Sequence, residues 1–153
     1  MNIIQNAYHQ FNTERFPLPT EQQVVELEGR IGVTFPDDYR AYLLTYNGGY
    51  FCEPDIVSPM GECPVEGLRL MHGIGAAHVE AELGKARDLA LFDDNKPPQV
   101  VPIGRSDMGS LVLLVAHPEE RGSILFKKAF GDAFFLASGI REFFELLREN
   151  IDD

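Results

Sequence analysis

The chain has 153 residues, 44% of them hydrophobic, which suits one domain that buries about two thirds of its unfolded surface. Its 24 acidic residues against 13 basic residues give a formal net charge of -11. This charge disfavours nucleic acid and anionic membranes as partners, because both are bound through basic patches. It favours a basic protein partner instead.

Two helices are predicted in the first third of the chain. The spacing of Ile3, Ile4, Ala7, Tyr8 and Phe11 predicts a short amphipathic helix that ends before RFPLP. The prolines of RFPLP then force an extended connector. In the next segment, TEQQVVELEGRIG, Thr20 and Gln23 predict a capping box and Gly32 predicts the end of the helix.

A third helix is predicted in TFPDDYRAYLLTYNGG, residues 34–49. Pro36 suits the first helical turn, where its missing N–H costs nothing. Asp37 and Asp38 suit the positive end of the helix dipole. The run Asn47-Gly48-Gly49 is typical of a left-handed helix end. The local sequence therefore gives the two aspartates a structural role.

The second half of the chain predicts a sheet. GLRLMHGI, residues 67–74, is typical of a strand, and the segment 76–92 is interpreted as a helix. Residues 99–130 hold β-rich runs separated by glycine turns, which predicts an antiparallel meander with 110–116 as a central strand. SGIREFFELLRENI, residues 138–151, predicts a closing helix with Ser138 as N-cap. This order indicates an α+β fold with helices packed on a mainly antiparallel sheet.

One stretch raises the alternative of a small enzyme or a nucleotide-binding domain. Gly73, Gly75 and His78 follow a predicted strand with the spacing of a dinucleotide fingerprint. That fingerprint requires glycine or alanine at the position of His78, so that the following helix can pack on the strand. A plain turn is therefore the favoured interpretation, and the nucleotide site stays an alternative.

Other patterns of chemistry are weak. His72 and His78 could form a metal site with Glu80 or Glu82 only if folding brought them together. Neither cysteine has a histidine nearby in the sequence, and their separation does not match a zinc motif. We therefore expect no catalytic residue, no metal and no cofactor. The first residues lack an export signal, and no apolar run is long enough for a membrane span, so a cytoplasmic location is expected.

The acidic residues predict a docking surface. Carboxylates adjacent in sequence point in different directions, which is poor geometry for acid and base catalysis. A cluster assembled in space could instead bind a basic protein, with two exposed aromatic rings beside it. The candidate partner-binding residues are Asp37, Asp38, Tyr50, Phe51, Glu53, Asp55, Asp93, Asp94 and Asp107.

The segment LPTEQQVVELEGRIGVTFPDDYRAYLLTYNGGYF, residues 18–51, resembles the N-terminal signature of the SUKH superfamily, which comprises Smi/Knr-type cell-wall regulators and bacterial immunity proteins. That signature has a Leu-Pro pair, a helix with a central glutamate, an acidic residue and tyrosine, and a closing Asn-Gly-Gly. The matching residues are Leu18, Pro19, Glu28, Gly32, Pro36, Tyr39, Leu43, Asn47, Gly48 and Gly49. IGRSDMGSLVLLV, GSILF and ASGIREFFELLREN resemble its later pieces.

The resemblance implies an α+β domain without enzymatic activity. Bacterial members commonly bind and neutralise a polymorphic toxin, often a nuclease, and fungal members act in cell-wall synthesis signalling. We therefore expect one SUKH-like domain over residues 1–153, with an N-terminal helix and connector at 1–17 and a core at 18–150. Its expected partner is a basic toxin domain, and a regulatory adaptor is the alternative.

Overall fold

The computed structural model describes residues 2–58, 66–76, 78–84, 100–116, 121–129, 131 and 133–149. Within these ranges the helices are α1 (Ile3–Phe11), α2 (Glu21–Ile31), α3 (Asp37–Thr45) and α4 (Ile140–Glu145). The strands are β1 (Asn12–Glu14), β2 (Gly49–Phe51), β3 (Asp55–Ile56), β4 (Glu66–Met71), β5 (Val100–Ser106), β6 (Leu111–Val115), β7 (Ile124–Lys127), β8 (Ala133–Ala137) and β9 (Leu147–Arg148). The predicted α+β fold is confirmed.

The strands form one antiparallel sheet in the order β1-β2-β4-β5-β6-β7-β8. The meander predicted over residues 99–130 is confirmed in β5 to β7, and β8 extends it beyond the predicted range. β6 lies between two neighbours, as its apolar sequence indicates. β2 and β3 lie one after the other along the same edge of β4, since Tyr50 pairs with Leu70 and Asp55 pairs with Gly67. Between them the chain leaves the ladder at Glu53, whose φ is 64°.

The helices cover one face of the sheet. Val112 from β6 and Phe126 from β7 point toward the helices and are fully buried. On the helical side, Phe144 of α4 packs against the rings of Tyr8 and Tyr42, with centroids 5.7 and 5.5 Å apart. An aromatic cluster thus ties the first, third and last helices to the sheet, because each ring buries a large apolar area.

The predicted start and end of α2 are confirmed. Thr20 accepts a hydrogen bond from the backbone of Gln23, and the Gln23 side chain accepts one from the backbone of Thr20. Gly32 ends the helix in the left-handed region at φ 76°. Both signals are local in sequence, so distant contacts do not alter them.

The helix predicted over residues 76–92 is wrong where the structure describes it. Residues 79–81 form a single 3-10 turn, and Glu82 then forms a parallel bridge with Gly73. The Gly73 N–H donates to Ala81, and the Leu83 N–H donates to Gly73, both at 2.9 Å. Backbone groups used in this bridge are not available for helical bonds. The predicted helical residues 85–92 lie outside the described ranges.

The closing helix is shorter than predicted. α4 ends at Glu145, and β9 follows and pairs with β3, so that Arg148 lies opposite Asp55. The N-cap is Gly139, and Ser138 instead donates its hydroxyl to the Glu142 carboxylate at 2.5 Å. Pairing with β3 satisfies backbone groups that a longer helix would have bonded internally, which explains the early end.

Candidate partner-binding surface

The signature residues form the frame that carries the surface. The buried carboxylate of Glu28 accepts from the Phe35 N–H at 2.7 Å and pairs with the Arg40 guanidinium, which joins the end of α2 to the start of α3. Gly48 lies against β4, where an added Cβ would meet the carbonyl oxygen of Met71 at 2.3 Å. These residues fix the backbone and do not present chemistry to solvent.

In the described part of the turn from Gly73 to His78, a carboxylate of the protein occupies the backbone donors. The backbone N–H groups of Gly75 and Ala76 donate to the Glu82 carboxylate at 3.0 and 2.8 Å. A bound phosphate would need these donors. An added Cβ on Gly73 would lie 2.2 Å from the Asn47 carbonyl oxygen, so the turn also lacks room. The described part of this turn therefore offers no phosphate cradle.

The histidines do not assemble a metal site in the described ranges. His72 is buried in the sheet, whereas His78 is exposed and packs edge-on against the Tyr50 ring. Within the residues that the structure describes, no three His, Cys, Asp or Glu side chains are placed to hold a metal ion. Cys52 is exposed, and Cys63 lies outside the described ranges.

Three of the predicted acidic residues come together at the start of β4. Gly67 is their meeting point: its N–H donates to Asp107 at 3.1 Å, and it pairs with Asp55. The backbone of Glu53 lies against the same glycine, because an added Cβ there would be 2.9 Å from the Glu53 carbonyl oxygen. Glu53 and Asp107 are exposed, and Asp55 is half-buried opposite Arg148. Glu53 and Asp107 thus present the most accessible negative charge at this corner.

Tyr50 lies beside this acidic corner on the face of the sheet opposite to the helices. Its partner Leu70 is three residues along β4 from Gly67, a separation of about 10 Å in an extended strand. The half-exposed Tyr50 hydroxyl donates to Glu80 at 3.1 Å. Partial burial, and then the Glu80 carboxylate, raises the pKa of Tyr50.

The 3-10 turn carries the large apolar side chain that is most exposed among the described residues. Val79 is 76% exposed and precedes Glu80, the hydrogen-bond partner of Tyr50. The sequence does not indicate this residue, because the mixed periodicity of the segment 76–92 is interpreted as a helix. We call the following set the docking surface: Tyr50, Glu53, Asp55, Val79, Glu80 and Asp107.

The other candidate residues lie elsewhere. Asp37 and Asp38 occupy the exposed first turn of α3, in the helical layer, as the helix-dipole argument predicts. Phe51 is 5% exposed, which contradicts its predicted exposure, because successive residues of β2 point to opposite faces and Phe51 faces the core beside Tyr8. The pair at 93–94, Asp93 and Asp94, lies outside the described ranges.

The structure defines an α+β protein with helices packed on an antiparallel sheet, and sequence comparison identifies its family. The profile of the SMI1 / KNR4 family (SUKH-1) matches residues 18–146, and the chain belongs to this family. It is similar to the SPbeta prophage-derived uncharacterized protein YokK of Bacillus subtilis (strain 168). The two are 30% identical over 159 residues, which cover 90% of this chain and 80% of the relative. No solved structure matches the chain significantly.

Among the described residues, no helix has the length and apolar character needed to cross a membrane.

Proposed function

We propose that the protein is an immunity-type binding module that neutralises a basic toxin domain through the docking surface. One observation carries the proposal: the exposed residues Glu53 and Asp107 meet at Gly67 of β4. Tyr50 pairs with Leu70 about 10 Å further along the same strand. Membership of the SUKH family supports a binding role without catalysis. We propose that the protein acts in the cytoplasm and needs no cofactor.

The charge of the protein fits a basic partner. A toxin that cleaves nucleic acid must be basic where it holds its substrate, and an acidic protein can cover that surface. The net charge of -11 would also speed the approach of such a partner. Nucleic acid and anionic membranes are disfavoured by the same charge.

Tyr50 is the expected anchor of the complex. Tyrosine is enriched among interface residues that lose much affinity when truncated, because its ring excludes water and its hydroxyl stays bonded. Here the ring is held against Phe16 and His78, with centroids 5.7 and 5.8 Å apart. A side chain held in place before binding loses little conformational entropy in the complex.

The test measures binding to the variable C-terminal domain of a secreted toxin encoded beside the gene. Titration calorimetry should show at least roughly tenfold weaker binding for Glu53→Lys, with a flatter salt dependence. Glu26→Lys makes the same charge change on the exposed face of α2 and should bind as the unaltered protein does. Tyr50→Ala should weaken binding by about thirtyfold or more.

Equal affinities for Glu53→Lys and Glu26→Lys would reject the docking surface while leaving the immunity role open. Absence of any complex, together with continued killing by the co-expressed toxin, would reject the immunity role itself. The second candidate is a regulatory adaptor, which the Smi1/Knr4 name of the family favours. Copurification of a host signalling protein in place of a toxin would support that role.

A further inference from the structure

A cleft lies on the helical side of the molecule, between α1 and the end of α3. It has a volume of about 550 Å³ and is lined by Gln5, Tyr8, His9, Arg15, Thr45 and Tyr46. We call it the Arg15 cleft. Among the described residues, its lining contains an arginine and a histidine and no carboxylate, although the whole chain has nearly twice as many acidic as basic residues.

Arg15 is held in a defined orientation. Its Nη2 donates to the Thr45 carbonyl oxygen at 2.8 Å, at the end of α3. Its guanidinium carbon lies 5.7 Å from the ring centroid of Tyr8 and 5.3 Å from that of Tyr46. The two rings are stacked on each other with centroids 4.4 Å apart. Cation–π contact with two rings and one hydrogen bond together fix the guanidinium plane.

Most hydrogen-bonding capacity of Arg15 remains open. A guanidinium has five N–H donors, and the Thr45 carbonyl is the acceptor that Arg15 reaches among the described residues. A planar cation with free donors is suited to bidentate binding of a carboxylate or a phosphate. The side chain itself is exposed, so a ligand can reach it.

The nearest acidic residue in sequence points away from the cleft. Glu14 pairs with Tyr50 in the β1–β2 ladder, and its carboxylate acts on the Tyr50 hydroxyl. Tyr50 packs with Phe16 on the face of the sheet opposite to the cluster that contains Tyr8. The described residues of the lining therefore include no acidic side chain beside Arg15. Charges more than about 8 Å apart are largely screened at physiological salt.

We propose that the Arg15 cleft binds a single oxyanion group, a carboxylate or a phosphate monoester, gripped by the Arg15 guanidinium with Gln5 and His9 at its rim. Tyr46 is half-exposed beside the guanidinium, and its ring would contact the rest of the ligand molecule that carries the oxyanion group. The Arg15 cleft lies in the helical layer and shares no residue with the docking surface. Oxyanion binding can therefore be tested independently of the immunity role.

The test is a titration of the full-length protein, followed by ¹H–¹⁵N NMR, with sodium benzoate in one arm and phenyl phosphate in the other. Saturable shifts at the amides of Gln5, His9, Thr45 and Tyr46 are expected, with a Kd of ~1 mM for at least one probe. The arm that binds more tightly identifies the oxyanion as carboxylate or phosphate. The absence of saturable shifts in the cleft up to about 10 mM of both probes would overturn the proposal.

Variants separate the cleft from general attraction to positive charge. Arg15→Gln should weaken binding at least about tenfold. Arg15→Lys should weaken binding less, because lysine keeps the positive charge, although it loses the planar, bidentate guanidinium. Arg121→Gln removes an exposed arginine that does not line the cleft, and its Kd should be unchanged. Binding that survives Arg15→Gln, or that falls equally in Arg121→Gln, would overturn the proposal. Thermal unfolding of each variant checks that the titrated protein is folded.

Discussion

The side-chain amide of Asn47 pairs with the backbone of Ile74 as a neighbouring strand would. Its Nδ2 donates to the Ile74 carbonyl and its Oδ1 accepts from the Ile74 N–H, both at 2.8 Å. The same Nδ2 donates to the Pro17 carbonyl oxygen at 2.7 Å. Asn47 is fully buried at φ 57°. The end of α3 is therefore bonded to the turn after β4 and to the connector before α2.

The first prediction concerns this amide. Asn47→Ala should lower the free energy of unfolding by about 3 kcal/mol, because it breaks three hydrogen bonds, leaves buried backbone groups unsatisfied and places alanine at positive φ. Urea unfolding measures the change. Asn6→Ala is the control, since Asn6 is exposed on α1 and alanine favours a helix. Similar stabilities for the two variants would contradict the role given to Asn47.

The second prediction contrasts glycines. An added Cβ on Gly48 would meet the carbonyl oxygens of Met71 and His72 at 2.3 and 2.6 Å, at φ 75°. Gly48→Ala should therefore cost more than about 3 kcal/mol or prevent folding. Gly29 lies inside α2 with open space around it, and Gly29→Ala should stabilise by about 0.5–1 kcal/mol.

A third glycine separates backbone strain from collision. Gly109 has φ 83° and nothing within 4 Å of an added Cβ. Gly109→Ala should cost only about 1–2 kcal/mol, because the backbone conformation alone is penalised. Equal losses for Gly109→Ala and Gly48→Ala in urea unfolding would show that the close approach of Gly48 to β4 contributes nothing.

The parts of the fold that the sequence predicts are those with signals inside the element. The Thr20 capping box and the left-handed Gly32 need no distant partner, and both are found as predicted. The segments at 79–82 and 147–148 are predicted as helix. In the structure the first forms a β-bridge with Gly73 and the second pairs with β3. Apolar spacing within a segment carries no information about such a partner, so tertiary pairing overrides it.

The docking surface shows the same division. The acidic and aromatic composition indicated Tyr50, Glu53 and Asp107, but composition could not assign the alternating faces of a three-residue strand, which bury Phe51. The sequence also could not place Glu80 beside Tyr50, because their hydrogen bond depends on the return of the chain from Gly73 to Glu82. Long-range pairing decides which residues share the surface.

The third prediction compares two buried tyrosine hydroxyls. The Tyr39 hydroxyl has no hydrogen-bond partner among the described residues, whereas that of Tyr8 bonds to Tyr42 at 2.6 Å and to the Gly48 carbonyl at 2.9 Å. Tyr39→Phe should raise the free energy of unfolding by about 1 kcal/mol, because it removes an unsatisfied polar group. Tyr8→Phe should lower it by about 1–2 kcal/mol. The opposite order in urea unfolding would contradict these bonding assignments.

The fourth prediction concerns alkaline pH. Burial raises the pKa of Tyr8, Tyr39 and Tyr42 above the ordinary value of 10.0, and it is the largest cause at each residue. In the unfolded chain the same hydroxyls ionise near pH 10. Their contribution to stability is therefore complete below pH ~10 and is lost as the pH rises above it. Three such groups should lower the free energy of unfolding by about 4 kcal/mol per pH unit there.

Tyrosinate absorbance and circular dichroism, followed together against pH, measure this effect. Part of the absorbance change should appear only with the loss of the circular dichroism signal, because the three buried tyrosines among the five in the chain ionise when the protein unfolds. In urea all five should titrate together near pH 10. Tyr39→Phe should shift the transition to higher pH, since one coupled proton is removed. Complete ionisation near pH 10 with the fold retained would show that these hydroxyls are not held in the core.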